Sequence, residues 1–294
     1  MKKNCEVFAV KKIIATSIVI IFVLYVFGLD PFQTQTGGNC ILATDYWAAH
    51  GSPSDLYGIE YNGLSAQLYQ GISNYATATD PGDLHFYLYD SSSSGMAGIL
   101  EFSMDTEEIR EIRMFSYTVS TQLSELTKMG GKISVERENE SNFPDNTYWL
   151  TFTGGITGKG LPYLDYVIFV DNGLLWKSGS SSTSDFLDVM LGTRFTFDKF
   201  KFGLEIGTRD GMDVLYGGLS SEFDLFSTLQ ARAGVSVNTK TTWDVFDWLI
   251  GGGFDLKAGN MIFSIGAGAN LSNNISEGRL NMKLMLSGMF TGIW

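Results

Sequence analysis

The stretch Trp248-Leu249-Ile250-Gly251-Gly252-Gly253-Phe254-Asp255-Leu256-Lys257 decides how the rest of the chain is read. Every second residue is apolar or glycine, from Trp248 through Ile250, Gly252 and Phe254 to Leu256, with Gly251, Gly253, Asp255 and Lys257 on the intervening positions. Side chains alternate across a strand, so the pattern gives one greasy face and one wet face. Ala258-Gly259 reads as a two-residue turn that sets Leu256 opposite Met261 and Phe254 opposite Phe263, putting the apolar residues of both arms on one side. Asp198-Lys199 repeats the device: Phe197 then faces Phe200 and Phe195 faces Phe202, four phenylalanines on one surface. Leu280, Met282, Leu284, Leu286, Gly288 and Phe290 alternate in the same way up to Trp294.

Outward from this stretch, nearly everything after Tyr57 reads as strand. Fifteen segments qualify, near 57–64, 66–76, 83–90, 96–104, 112–124, 128–138, 146–156, 163–171, 186–197, 200–208, 212–221, 226–237, 247–257, 260–271 and 279–290. Closed bacterial barrels have even strand counts, so one segment is expected to be false or merged, leaving about fourteen. Ile109 to Leu126 also fits helical spacing, but the alternation of Phe115, Tyr117, Val119, Thr121 and Leu123 favours a strand. Asp171-Asn172-Gly173 reads as a turn, and Glu136–Asn146, Lys177–Asp185 and Asn238–Asp247 as loops. Composition agrees with an all-β transmembrane antiparallel barrel: 34 Gly, 6 Trp, 13 Tyr, 21 Phe and only 5 Pro among 294 residues, with 44% apolar residues but no long greasy run after residue 28. A soluble β-sandwich would alternate too.

The wet face carries Arg194, Lys201, Glu205, Arg209, Gln230, Arg232, Asp255, Lys257 and Lys283. A Lys or Arg facing hydrocarbon at mid-depth costs about 2–4 kcal/mol, which assigns these residues to a lumen. Arg194 falls diagonal to Glu205, within reach of a pair. Either such charges neutralise one another inside a filled barrel, or they line a polar path for solute. Met285 and Met289 add apolar surface to the same face.

At the other end, Lys2, Lys3, Lys11 and Lys12 precede an apolar run from Ile13 to Gly28. This reads as a secretory signal over residues 1–28, with an uncleaved anchor as the alternative. Without those residues the chain loses four Lys and one Glu, leaving 16 basic and 31 acidic residues and a net charge of −15, a poor match to nucleic acid. Cys5 would leave with the signal, and Cys40 alone forms no intrachain disulfide. No catalytic or metal-ligating constellation and no cofactor motif appears: His50 and His85 are dispersed and read as structural, and the alternating Glu136, Glu138 and Glu140 read as solvated charge.

Residues 29–56 interrupt the strand pattern. Ile41, Ala43, Trp47, Ala48 and Ala49 suggest a short helix ending near His50-Gly51, with Ser52-Pro53 forcing a turn. The run Asp45-Tyr46-Trp47-Ala48-Ala49-His50-Gly51-Ser52-Pro53-Ser54-Asp55-Leu56 resembles the N-terminal D-x-x-A-x-x-x-N-P-A-G-L segment of FadL-type fatty-acid transporters and PorV-like barrels. Pro53 and Leu56 match it, while Ser52, Ser54 and Asp55 replace Asn, Ala and Gly. Phe290 and Trp294 are similar to the terminal aromatic signal that barrel-assembly machinery reads in outer-membrane barrels, with Gly292 where a larger residue is usual. The resemblance implies a bacterial outer-membrane barrel over residues 57–294 that passes or binds small hydrophobic compounds. Residues 29–56 would be its hatch: Ile41, Trp47, Ala48 and Leu56 packed in the lumen near the periplasmic mouth, and Pro53 fixing the turn into the first strand. A PorV-like carrier of secreted proteins is the alternative, and a periplasmic β-domain on an uncleaved anchor a third.

Overall fold

The computed structural model describes residues 40–59, 61–73, 83–91, 95–106, 110–140, 145–179, 187–209, 211–240, 245–274 and 279–294. The expected signal over residues 1–28, and the lead up to residue 39, lie outside them. Fourteen strands follow in chain order: β1 Gly63–Ser73, β2 Asp83–Asp90, β3 Met96–Thr106, β4 Arg110–Ser124, β5 Thr127–Glu140, β6 Thr147–Leu161, β7 Leu164–Ser178, β8 Asp188–Phe197, β9 Phe200–Arg209, β10 Val214–Phe226, β11 Leu229–Lys240, β12 Val245–Ala258, β13 Met261–Asn274 and β14 Arg279–Ile293. Each pairs antiparallel with its sequence neighbours, and β14 returns to β1, closing a barrel. Closure leaves no sheet edge, the condition for a sheet to stand in hydrocarbon. Two-residue turns join β4–β5, β6–β7, β8–β9, β10–β11 and β12–β13 at one end, whereas β1–β2 and β7–β8 are joined by nine-residue connections at the other.

At the seam, β1 begins and β14 finishes at the short-turn end. Gly63 pairs with Ile293, Ala66 with Phe290, and the Trp294 amide donates to the Asn62 carbonyl at 3.0 Å. Phe290 also pairs with Phe263 of β13, the rings 5.4 Å apart, and Trp294 is exposed at the rim. Alternation along the strands separates the two faces: Leu204 and Phe254 are exposed on the outer wall, while their chain neighbours Glu205 and Asp255 are buried inside. The outer wall presents Ile133, Val135, Ile168, Ile206, Ile250 and Ile265 to the surroundings, an apolar band that a water-facing protein does not tolerate.

Several local expectations are corrected. Residues 57–59, 61 and 62 form no strand: Ile59 N–H turns back to the Leu56 carbonyl at 3.1 Å, Gly58 adopts φ 136°, and Ile59 is buried in the interior, so the two candidates at 57–64 and 66–76 give the single strand β1. The β12–β13 hairpin turns at Gly259-Asn260, because Gly259 supplies the left-handed conformation at φ 63°. Leu256 therefore faces Phe263 and Phe254 faces Ile265; a shift of two residues keeps every side chain on its face. Asp171-Asn172-Gly173 is a bulge inside β7, with Asn172 at φ 51° and the pairing with β6 shifting between Phe152 and Gly154. The Phe152 ring covers the bare Gly173, so the strand continues to Ser178 where composition alone suggests a turn. β5 likewise runs on to Glu140, β11 to Lys240 and β12 begins at Val245, consuming much of the expected loops.

Candidate functional site in the barrel lumen

The interior is occupied by the chain's own N-terminal segment. Two 3-10 helices, Asp45–His50 and Pro53–Leu56, lie within the wall, the second against β4, β5 and β6. The segment's sequence is too apolar to sit in water and too irregular to join the sheet. Ile41, Leu42, Ala43, Trp47, Ala48, Leu56 and Ile59 are all buried, in two clusters with Phe169, Met190 and Met289 on one side and Tyr87, Tyr89 and Ile99 on the other. The wall makes room for it with glycines. A side chain at Gly130 would collide with the Pro53 carbonyl, one at Gly155 with Ser52, and one at Gly192 or Gly203 with Ile41. Pro53 begins the second helix ten residues ahead of β1, so it bends the segment on itself between the two helices and leaves the entry into the first strand to Gly58.

Polar anchors fix the same segment to the wall. Glu205 on β9 accepts the Ile41 amide at 2.7 Å and the Cys40 amide at 3.1 Å. Arg194 on β8 meets Asp55 at 3.1 Å and Asp165 of β7 at 3.2 Å, and donates to the Ile41 carbonyl at 3.2 Å. The expected Arg194–Glu205 pair is replaced by these contacts, because the segment passes between the two side chains and offers each a partner. Trp47 Nε1 donates to Asp255 at 3.0 Å, and the Arg232 guanidinium lies 5.2 Å from the Trp47 ring centre. Gln67 donates to His50 at 2.6 Å. Ser54 shares a 2.7 Å hydrogen bond with Thr157, whose hydroxyl also donates to Asp55.

Behind Trp47 a chain of ion pairs crosses four strands: Lys201 to Glu222 at 2.5 Å, Glu222 to Arg232 at 2.8 Å, and Arg232 to Asp255. Arg194, Glu205, Arg232 and Asp255 thus stand together on the inner wall around the segment that holds Trp47, Pro53 and Leu56. Lys283 pairs in register with Ser73 and Asn270, and its side chain lies outside the described residues. Of the partners, Asp55, Asp165 and Glu222 carried no signal in the sequence beyond their parity on a strand or their place beside Pro53. Glu138 is buried rather than solvated and accepts the Trp149 indole N–H at 3.1 Å.

Above the segment, toward the longer loops, a cavity of about 400 Å³ remains. Cys40, Ala48–Gly51 and Pro53 form its floor, and the wall contributes His85, Glu101, Lys132, Asp171, Asp188 and Arg209 together with Phe169 and Met190. His85 lies 2.9 Å from Asp105, and Lys132 holds Glu101 at 2.8 Å. Burial, and then the neighbouring Glu205 carboxylate, push the Cys40 thiol well above its ordinary range.

No protein-family model and no curated protein matches the chain. Solved structures do match in shape. The CymD monoaromatic hydrocarbon channel superposes with a TM-score of 0.67 at 10% identity, covering 91% of this chain and 98% of that one. The Ralstonia pickettii toluene transporter TbuX gives 0.66 at 9% identity over the same shares, and the P. putida toluene transporter TodX gives 0.65 at 8%, covering 91% and 99%. A Pseudomonas aeruginosa FadL homologue reaches 0.60 at 8% identity over 91% and 98%. The chain therefore has the fold of these channels over nearly its whole described length.

Proposed function

We propose that this chain is an outer-membrane channel for small, largely apolar compounds, closed at rest by the hatch formed by residues 40–59. The observation that carries the reading is the seating of that segment: it fills the lumen toward the short-turn end, yet it is anchored by side-chain packing, hydrogen bonds and ion pairs instead of strand pairing. An element that plugs a closed wall without belonging to it can move while the wall stands. Channels of the same shape named for toluene and monoaromatic hydrocarbons support the substrate class. In outer-membrane barrels short turns face the periplasm, which sets the hatch on the periplasmic side and the cavity toward the outside. On this reading residues 1–28 direct export, and Phe290 and Trp294 present the closing strand to the barrel-assembly machinery.

Deleting residues 40–56 tests the assignment. The barrel should still fold, seen as heat-modifiable mobility in gels, while its conductance in planar bilayers rises and its selective uptake of toluene into proteoliposomes falls. A folded deletion variant whose conductance equals that of the intact chain would falsify the hatch.

A further inference from the structure

On the outer wall, the apolar band over β4 and β5 ends in a pair of like charges. Phe115 and Tyr117 of β4 and Ile133 and Val135 of β5 are exposed on that face, and the next outward position on each strand is an arginine, Arg113 and Arg137. The register sets the two arginines directly opposite each other, one step beyond the Phe115–Val135 pair and away from the short turns. Side chains so paired stand about 4.5–5.5 Å apart at Cβ, and like charges there repel. Glu111 accepts from Arg113 Nε at 2.7 Å, an exposed ion pair of the kind that contributes little, and both terminal nitrogens of Arg113 have no partner among the described residues. Arg137 Nη2 donates to Asn146 at 3.2 Å, while its Nε is closed off from solvent without an acceptor. An unmade hydrogen bond of that kind is a cost that a new acceptor at the fork removes. Met104 of β3 and the exposed Tyr148 of β6 flank the pair in register. An aromatic side chain at the border of an apolar band marks the membrane interface, and the end opposite the short turns belongs to the outer leaflet.

We propose that Arg113 and Arg137 bind the phosphate of an outer-leaflet lipid headgroup, whose acyl chains lie along the strip of Phe102, Phe115, Val135 and Leu150. Those four residues are paired in register across β3, β4, β5 and β6, directly below the arginines. A guanidinium is planar, always charged and matches phosphate oxygens two at a time, and a phosphate between two of them turns their repulsion into a clamp. An arginine that only reaches for the interface needs no second cation opposite it. The chain has 32 acidic residues against 20 basic ones, so composition favours an acid in that position over another arginine. The site uses the outer-membrane placement of the barrel and does not depend on what crosses the lumen.

Native mass spectrometry of the full-length chain in detergent micelles tests this with three probes: hexa-acyl lipid A carrying both phosphates, the same lipid with its phosphates removed, and inorganic pyrophosphate. The phosphorylated lipid should bind about tenfold more tightly than the dephosphorylated one, the factor that one charge-assisted hydrogen bond supplies. Pyrophosphate at equal concentration should not displace it, because the free anion lacks the chains that rest on the apolar strip. Replacing both arginines, Arg113→Gln with Arg137→Gln, should erase the preference between the two lipids. Should that double variant lose heat-modifiable mobility, Arg113→Gln alone, at an exposed position, carries the test, and the preference should fall. Equal binding of the two lipids, displacement by pyrophosphate, or an undiminished preference in a folded variant would each overturn the proposal. The readout concerns the outer wall and involves no flux, so it can fail while toluene uptake and the hatch deletion behave as expected, and the reverse.

Discussion

Single residues on this barrel carry opposite burdens according to parity. Leu204 lies exposed on the outer wall, and Leu204→Arg should lower stability in lipid bilayers by about 2–4 kcal/mol if it sits near mid-depth. Urea-unfolding titrations into phospholipid vesicles measure this, and an unchanged midpoint would contradict the outward assignment. The residue before it answers differently. A side chain at Gly203 runs into Ile41 of the inner segment, so Gly203→Val should leave the wall folded but unseat the segment, read as higher single-channel conductance in bilayers. If Gly203→Val abolished heat-modifiable mobility, the glycine would be serving the wall and not the seat. Parity of this kind was legible in the sequence because strand side chains repeat every two residues, and a charge between greasy neighbours has only one tolerable direction. The partner of each charge was not legible. Arg194 and Asp55 lie 139 positions apart in sequence and meet only because the chain threads its own barrel.

At the level of elements, the strands were readable and their ends were not. Alternation located all fourteen, including β4, whose apolar residues also fit a helix. Asp171-Asn172-Gly173 misled because the residues that make a turn also make a bulge; what decides is the Phe152 ring on the neighbouring strand, which sequence alone does not bring alongside. The inner segment is the element whose hold on the wall is most exposed to test. Arg194→Ala would leave Asp55 buried without its cation, a loss of about 3–5 kcal/mol that the segment escapes by leaving its seat. Asp55→Asn leaves Arg194 with Asp165 and should loosen the segment less. Hydrogen exchange over residues 40–56 ranks the two variants. Protection lost more completely in Asp55→Asn than in Arg194→Ala would mean that the carboxylate, and not the arginine, bears the load.

Taken as a whole, the molecule is a wall with every strand paired on both sides around a segment held by side-chain packing, hydrogen bonds and ion pairs and not by strand pairing, so the two parts should respond to perturbation on different scales. Cys40 reports on the inner part alone. Its thiol is buried, lies 3.6 Å from the Met190 sulfur, and is pushed up by burial and then by Glu205, with Arg209 pulling the other way. A raised thiol is protonated at pH 8, and only the thiolate alkylates. In a Cys5→Ser chain, where Cys40 is the remaining cysteine, iodoacetamide at that pH should therefore react with the membrane-inserted barrel at least ~10-fold more slowly than with the urea-unfolded chain. Glu205→Ala takes away the acceptor of the Cys40 and Ile41 amides along with the charge that raises the thiol. The reaction should then speed up while heat-modifiable mobility, which belongs to the wall, stays unchanged. Mass spectrometry of Cys40 adducts follows the rate. Equal rates in the native and unfolded chains would mean that the segment leaves the lumen freely, and an unaltered rate in Glu205→Ala would mean that some other contact keeps it in place.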